Sequence, residues 1–191
     1  MSKYLLGLDC GHTVTKAVLF DLEGKEIQSG KGLNETISLH AGWQERTMEA
    51  AGKAATDAIK EAIKNIKSSE IIGIGICGHS DGLYLLDKYG VPLRNAIFAT
   101  DNRAKSIAEN LAKDVGNQLL NIMGQFLFPA SPVALLIWLK ENEPENYKKI
   151  GSVLHCKDWI RTYLTGNIGV DVSDSSGSFV EDRKSTRLNS S

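Results

Sequence analysis

A carboxylate, a glycine and a hydroxyl stand close together near the start of the chain, in Asp9-Cys10-Gly11-His12-Thr13. The apolar run Tyr4 to Leu8 before them reads as a strand, and Lys16 to Phe20 behind them reads as a second one. A carboxylate at the end of a strand can hold a metal ion or a metal-bound water. A glycine beside it lets backbone N–H groups approach an anion, and the Thr13 hydroxyl adds a donor and an acceptor. Magnesium and a polyphosphate need that set together, because the cation offsets repulsion between carboxylate and phosphate. Polar hairpin turns also carry this pattern, so the rest of the chain has to decide between the two.

Two further polar clusters follow apolar runs. Gly78-His79-Ser80-Asp81-Gly82 comes directly after Ile71 to Cys77, and ligands of open α/β sheets sit outside the carboxyl ends of strands. His79 and Asp81 have the chemistry to accept hydrogen bonds from the hydroxyls of a polyol or sugar. The plainer alternative is a loop whose Asp and Ser satisfy their own backbone. Thr100-Asp101-Asn102-Arg103 is the third cluster, again at a strand end.

Positioning these residues takes a mixed sheet with helices on its faces. After the first hairpin, Lys25 to Leu33 pairs as a third strand, giving an antiparallel meander. The stretch Asn34 to Arg46 is irregular, and its Trp43 either anchors a surface loop, the favoured reading, or faces a cleft. Thr47 is the expected N-cap of a helix with alanines at helical spacing, which ends at Ser68-Ser69. The unbroken apolar run Ile71 to Gly78 predicts a central strand buried on both faces. Leu83 to Leu86 and Ala96 to Ala99 predict another hairpin. Helices are expected over Ala104 to Leu111, over Asn117 to Met123, behind the N-cap Ser131, from Pro144 to Ile150, and from Lys157 to Leu164. Val153 to His155 reads as a strand, and the hydroxyl-rich Gly169 to Gly177 as a polar loop or ligand contact.

The 191 residues are 42% hydrophobic and 24% charged, the balance of a globular protein with a sizeable core. A net charge of −1 argues against nucleic acid or an anionic membrane as partner. There is no apolar run of membrane-spanning length, and Met1-Ser2-Lys3 leads into a strand rather than a signal peptide. The three cysteines, Cys10, Cys77 and Cys156, lack metal-ligand spacing and read as buried free thiols of a cytoplasmic protein.

The order of these pieces carries a resemblance. Asp9-Cys10-Gly11-His12-Thr13-Val14-Thr15-Lys16 resembles the first phosphate hairpin of the actin-like ATPase (ribonuclease H-like) fold, an α/β architecture. More narrowly, the chain resembles the N-terminal domain of the FGGY family of carbohydrate kinases. Gly42-Trp43-Gln44-Glu45, Ile72 to Ile76, Asp101-x-Arg103, Leu136-x-Trp138-Leu139 with Glu143-Pro144-Glu145, Leu164-Thr165-Gly166, and Asp171 to Gly177 support it. The match covers residues 1–180 as one sugar-binding domain. The resemblance implies transfer of the ATP γ-phosphoryl group to a hydroxyl of a small sugar or polyol, with Mg2+. It places Asp9 near the metal and the transferring phosphoryl, as the catalytic and metal-holding carboxylate. It places Gly11, His12, Thr13 and Lys16 on the phosphates, although small residues are usual at the position of His12. His79, Ser80, Asp81, Asp101 and Arg103 fall to the substrate. The loop has neither the Gln-Met-His run of xylulose kinases nor the Arg-Glu pair of glycerol kinases, and the Trp43 and Trp138 segments look more like L-xylulose or erythritol kinases.

The family's second domain supplies the catalytic base Asp and most of the adenosine surface, and it is expected beyond this chain. Residues 181–191 lack apolar periodicity and resemble read-through of a vector rather than native sequence. The expectation is a fragment without kinase activity, from a cytoplasmic parent that forms a homodimer. Competing readings are an actin-like assembly or chaperone protein, and a sugar-binding module without catalysis.

Overall fold

A computed structural model describes residues 3–123 and 126–175. The strands are β1 (Tyr4–Cys10), β2 (Val14–Phe20), β3 (Glu26–Leu33), β4 (Glu45–Arg46), β5 (Ile71–Gly78), β6 (Tyr84–Asp87), β7 (Ala96–Ile97) and β8 (Ile150–Leu154). The helices are α1 (Met48–Ala62), α2 (Lys105–Met123), α3 (Pro132–Asn142), α4 (Pro144–Tyr147), α5 (Cys156–Thr165) and α6 (Val172–Ser175). The chain forms two compact units. Unit 1 takes residues up to 36, then 46–79 and 156–168; unit 2 takes 37–45, 80–155 and those from 169 onward.

Unit 1 is built on a four-stranded sheet of order β3-β2-β1-β5. The meander β1-β2-β3 is antiparallel as expected, and β5 joins β1 in parallel. Strand alternation buries Leu6, Leu8 and Cys10 of β1 and Thr15, Ala17 and Leu19 of β2. Helix α1 starts where the sequence predicts, with the Thr47 hydroxyl accepting from the Ala50 N–H at 3.1 Å. It ends earlier, at Ala62. Its alanines rest almost directly on β3, because that strand presents glycines to them. A Cβ at Gly32 would lie 1.9 Å from the Ala54 carbonyl oxygen, and one at Gly30 would lie 2.3 Å from that of Ala58. Helix α5 packs beside α1, with the Trp159 indole N–H donating to the Met48 carbonyl at 2.8 Å.

Strand β5 corrects the sequence reading. It lies at the sheet's edge among the described residues, and Ile72 and Ile74 are 53% and 48% exposed. A continuous apolar run states that a strand can be buried on both faces; here Ile71, Gly73, Ile76 and Gly78 are half-buried, while Ile72, Ile74 and Cys77 are exposed among the described residues. Cys77 on the same strand is exposed, whereas Cys10 and Cys156 are the buried thiols.

In unit 2, β6 pairs antiparallel with β8, setting Tyr84 opposite Leu154. The predicted hairpin with Ala96 to Ala99 survives only as isolated bridges, Leu83 with Ile97 and Leu86 with Pro92. The two helices expected between Ala104 and Met123 are one, α2, which runs through Gly116. Helix α3 begins at Pro132 after Ser131, but the Ser131 hydroxyl accepts from the Phe128 N–H at 3.0 Å instead of capping the helix. Ala134, Leu135 and Leu139 of α3 join Leu83, Leu85, Ile97 and Ala104 in the core of this unit. The segment Gly169 to Gly177 contains the short helix α6 as far as Ser175, and the Asp171 carboxylate accepts from the Ser173 N–H at 2.8 Å. Residues 181–191 lie outside the described residues.

Candidate functional site

The candidates predicted from sequence fall into both units. Asp9, Gly11, His12, Thr13, Lys16 and His79 belong to unit 1; Ser80, Asp81, Asp101 and Arg103 belong to unit 2.

In unit 1, Asp9 stands exposed one residue before the end of β1, because alternation turns Leu8 and Cys10 inward and Asp9 outward. Register sets Asp9 opposite Lys16 on β2 and Cys77 on β5. The Cys77 thiol reaches the Asp9 carboxylate at 3.7 Å, and burial together with that carboxylate pushes the thiol's pKa up. Asp9, Lys16, Gly7, Gly75 and Cys77 border an open depression of about 370 Å³ on this face. The buried Cys10 thiol is held far above its ordinary pKa by its hydrogen bond with Cys156 and by burial, which makes it inert as a nucleophile.

The turn after β1 is tight: a Cβ on Gly11 would lie 2.9 Å from the Val14 carbonyl oxygen. Its carbonyls are all engaged. That of Gly11 accepts from the Asn34 side-chain amide at 2.9 Å, that of His12 from the Arg46 guanidinium, and that of Thr13 from the Asn34 backbone N–H at 3.1 Å. The His12 ring packs on that of His79 with centroids 4.3 Å apart. His79 in turn donates its backbone N–H to the Cys10 carbonyl at 3.3 Å. Burial, then the neighbouring His79 and the Arg46 charge, lower the His12 pKa, so the imidazole is neutral at pH 7.

Among the described residues no three His, Cys, Asp or Glu side chains converge to hold a metal ion. A single exposed carboxylate suits magnesium, which keeps several waters and takes its other ligands from substrate phosphates. The Asp9 carboxylate has the chemistry to meet such an ion.

In unit 2, Asp81 has φ +58°, the left-handed region, which Asp tolerates better than most residues, and Gly82 follows at φ +76°. A side chain at Gly82 would strike the Ile97 carbonyl at 2.3 Å, so the turn geometry of this loop is strict. Asp101 and Arg103 are buried against each other. The Asp101 carboxylate accepts from the Arg103 Nε at 2.9 Å, from its Nη2 at 2.8 Å, from its backbone N–H at 2.8 Å and from the Gln44 N–H at 2.7 Å. Arg103 also pairs with Glu45 at 2.7 Å, and its guanidinium lies 4.2 Å from the ring centre of Trp43 and 5.1 Å from that of Trp138. Burial works against its charge; the hydrogen bonds and charges of Asp101 and Glu45 outweigh it and hold the pKa above the ordinary value. Glu45 further binds Arg94, which reaches Glu143 at 2.6 Å.

Sequence reasoning missed Glu45 and Arg94 in this network, and Asn34 and Arg46 behind the turn. The adjacent opposite charges at Glu45-Arg46, in a stretch already marked by Trp43, were the available signal.

Comparison with known proteins places this geometry. The model of the FGGY family of carbohydrate kinases, N-terminal domain, matches residues 4–187. The L-xylulose/3-keto-L-gulonate kinase of Escherichia coli K12 is 39% identical over 181 residues, which are 93% of this chain and 36% of that protein. The xylulose kinase of Bacillus subtilis is 31% identical over 180 residues, 93% of this chain and 36% of that protein. Among solved structures, xylulose kinase from Rhodospirillum rubrum superposes with a TM-score of 0.87 at 27% identity, covering 96% of this chain and 39% of that one. Gluconate kinase from Lactobacillus acidophilus gives 0.87 at 27% identity, covering 93% of this chain and 36% of that one. The fold is that of the sugar kinases, the actin-like ATPase fold. The chain belongs to the FGGY family of carbohydrate kinases, as its N-terminal domain. It spans about a third of the length of the relatives it matches.

Proposed function

We propose that this chain is the sugar-side part of a cytoplasmic, ATP- and Mg2+-dependent kinase that phosphorylates a hydroxyl of a pentulose or tetritol. The observation that carries the reading is the exposed Asp9 carboxylate set directly before the tight Gly11–Thr13 turn. The names of its relatives support the substrate class, since they include L-xylulose and xylulose kinases.

In this mechanism Asp9 would hold magnesium, and the Thr13 hydroxyl and turn amides bind phosphate oxygens. The Lys16 ammonium, across the ladder from Asp9, adds positive charge for the nucleotide. Bound magnesium would neutralise phosphate charge as it moves toward the acceptor. His79, Ser80 and Asp81 bind sugar hydroxyls. Asp101 and Arg103 serve the substrate by holding Trp43 and Gln44 in place, because the Asp101 oxygens are already filled.

The test is a chimera that joins residues 1–175 to the matching remainder of the Escherichia coli relative. Coupled assay of ADP release with L-xylulose, D-xylulose and erythritol should show MgATP-dependent turnover with at least one of them. No turnover with any, under conditions where the intact relative works, refutes the proposal.

A further inference from the structure

Three consecutive carbonyls of one turn, those of Gly11, His12 and Thr13, are each taken by a hydrogen bond from outside the turn, and only two residues supply all three. Asn34 follows the last residue of β3. Its backbone N–H takes the Thr13 carbonyl at 3.1 Å, and its side-chain amide takes the Gly11 carbonyl at 2.9 Å and the Thr15 hydroxyl at 3.1 Å. A carbonyl only accepts, so the NH2 end of the amide has to face Gly11. That orientation is kept although it leaves the Asn34 Oδ1 buried without a hydrogen-bond partner among the described residues. Arg46 is 2% exposed, and its guanidinium spans the carbonyls of His12 and Glu35, the latter at 3.2 Å.

Peptide planarity turns these bonds into a direction. Each trans peptide sets the N–H of one residue opposite the C=O of the residue before it. With the Gly11 carbonyl aimed at Asn34 and the His12 carbonyl at Arg46, the N–H groups of His12 and Thr13 point the other way. Two successive N–H groups facing outward form the kind of concavity that binds anions. The guanidinium behind the turn brings a fixed positive charge to the same place, and it donates to a peptide whose amide end meets the anion.

We propose that Asn34 and Arg46 are positioning residues for the phosphate site, locking the Gly11–Thr13 turn with its carbonyls inward and the His12 and Thr13 amides outward toward a phosphate. This rests on the reading of that turn as the phosphate contact. It extends that reading by naming the two residues that set the turn's orientation. Neither touches the phosphate itself.

The experiment follows the His12 and Thr13 amides of the full 191-residue chain by 1H–15N spectroscopy during titration with inorganic pyrophosphate and magnesium. In the unaltered chain these two amides should shift and saturate. Asn34→Asp keeps the size and the backbone donor but loses the side-chain donor to Gly11; Arg46→Met loses both the donor and the charge. Each should weaken pyrophosphate binding at least tenfold while the remaining amide spectrum stays in place, and Arg46→Lys, which restores the charge and a donor, should recover part of the loss. Variants that bind like the unaltered chain overturn the positioning role and leave the phosphate reading standing. An unaltered chain whose His12 and Thr13 amides do not respond overturns the phosphate reading, and the proposal falls with it. Loss of the folded spectrum in both Asn34→Asp and Arg46→Lys also overturns the proposal, because the two residues would then be folding elements first.

Discussion

Replacing Glu45 by Ala tests whether the buried charge network of unit 2 holds that unit together. The carboxylate is shared: it pairs with Arg103 at 2.7 Å and with Arg94, and accepts from the Asn95 amide at 3.1 Å. Solvent cannot take its place, since the side chains of Glu45, Arg94 and Arg103 are 7%, 10% and 0% exposed. Removing one partner of a buried pair costs about 3–5 kcal/mol, mostly because the other charge stays buried. Here both guanidiniums keep a second carboxylate, Asp101 for Arg103 and Glu143 for Arg94, which puts the expected loss near the lower end, about 3 kcal/mol. For a domain of this size that corresponds to a drop in Tm of about 6–12 °C. Scanning calorimetry with near-ultraviolet circular dichroism, which reports on Trp43 and Trp138 around Arg103, is the assay. Glu45→Gln keeps the shape and should lose about half as much. A Glu45→Ala chain that melts within about 2 °C of the original refutes the reasoning. The network would then be an ornament of packing done by the aromatic rings.

The other predictions concern the proposed reaction and the turn. In the chimeric kinase, Asp9→Asn should lower kcat by about 10²-fold or more with the fold intact; normal turnover at saturating MgATP would remove Asp9 from the mechanism. Asp81→Asn keeps tolerance of the left-handed backbone and loses only charge, so it should lower kcat/KM for the sugar about tenfold without changing the melting temperature. Unchanged kcat/KM in the Asp81→Asn enzyme would make Asp81 a turn residue alone. The depressed pKa of His12 means that the folded chain binds fewer protons than the unfolded one as pH falls through the ordinary histidine range. Its contribution is complete above the unfolded value of 6.5 and is lost as pH drops toward the folded value, so urea midpoints should fall between pH 7 and pH 5. His12→Phe, which keeps a ring against His79, should flatten that slope; an unchanged slope assigns it to other groups.

What the sequence disclosed is what depends on neighbours along the chain. The first hairpin was legible from strand alternation and Gly11, and the start of α1 from Thr47 and the alanine spacing. Exposure of β5 was not, because hydrophobic pattern records what a strand tolerates rather than what lies over it. Partner choice of β6 was hidden for a similar reason: Tyr84 and Leu154 are far apart in sequence, and no local signal links them. The break expected between Leu111 and Asn117 failed because one interior glycine, Gly116, costs a helix only about 1 kcal/mol, which packing readily offsets. Asn34 acts on backbone carbonyls, which every residue carries, so no spacing rule could have singled it out; for Arg46 the adjacent Glu45 marked a charged pair but not the His12 carbonyl it binds. Arg103 was found by its motif, but its burial between two tryptophans was visible only in three dimensions.

The outer border of β5 has a colloidal consequence. From Ile71 to Gly78 the strand carries no lysine, proline or acidic residue, the devices by which natural sheets keep strangers from joining them. The whole chain has a net charge of only −1, so long-range repulsion between copies is weak. Among the described residues that border is open for a second copy to pair with, and a lysine in place of the exposed Ile74 is expected to raise the concentration at which the chain stays in solution.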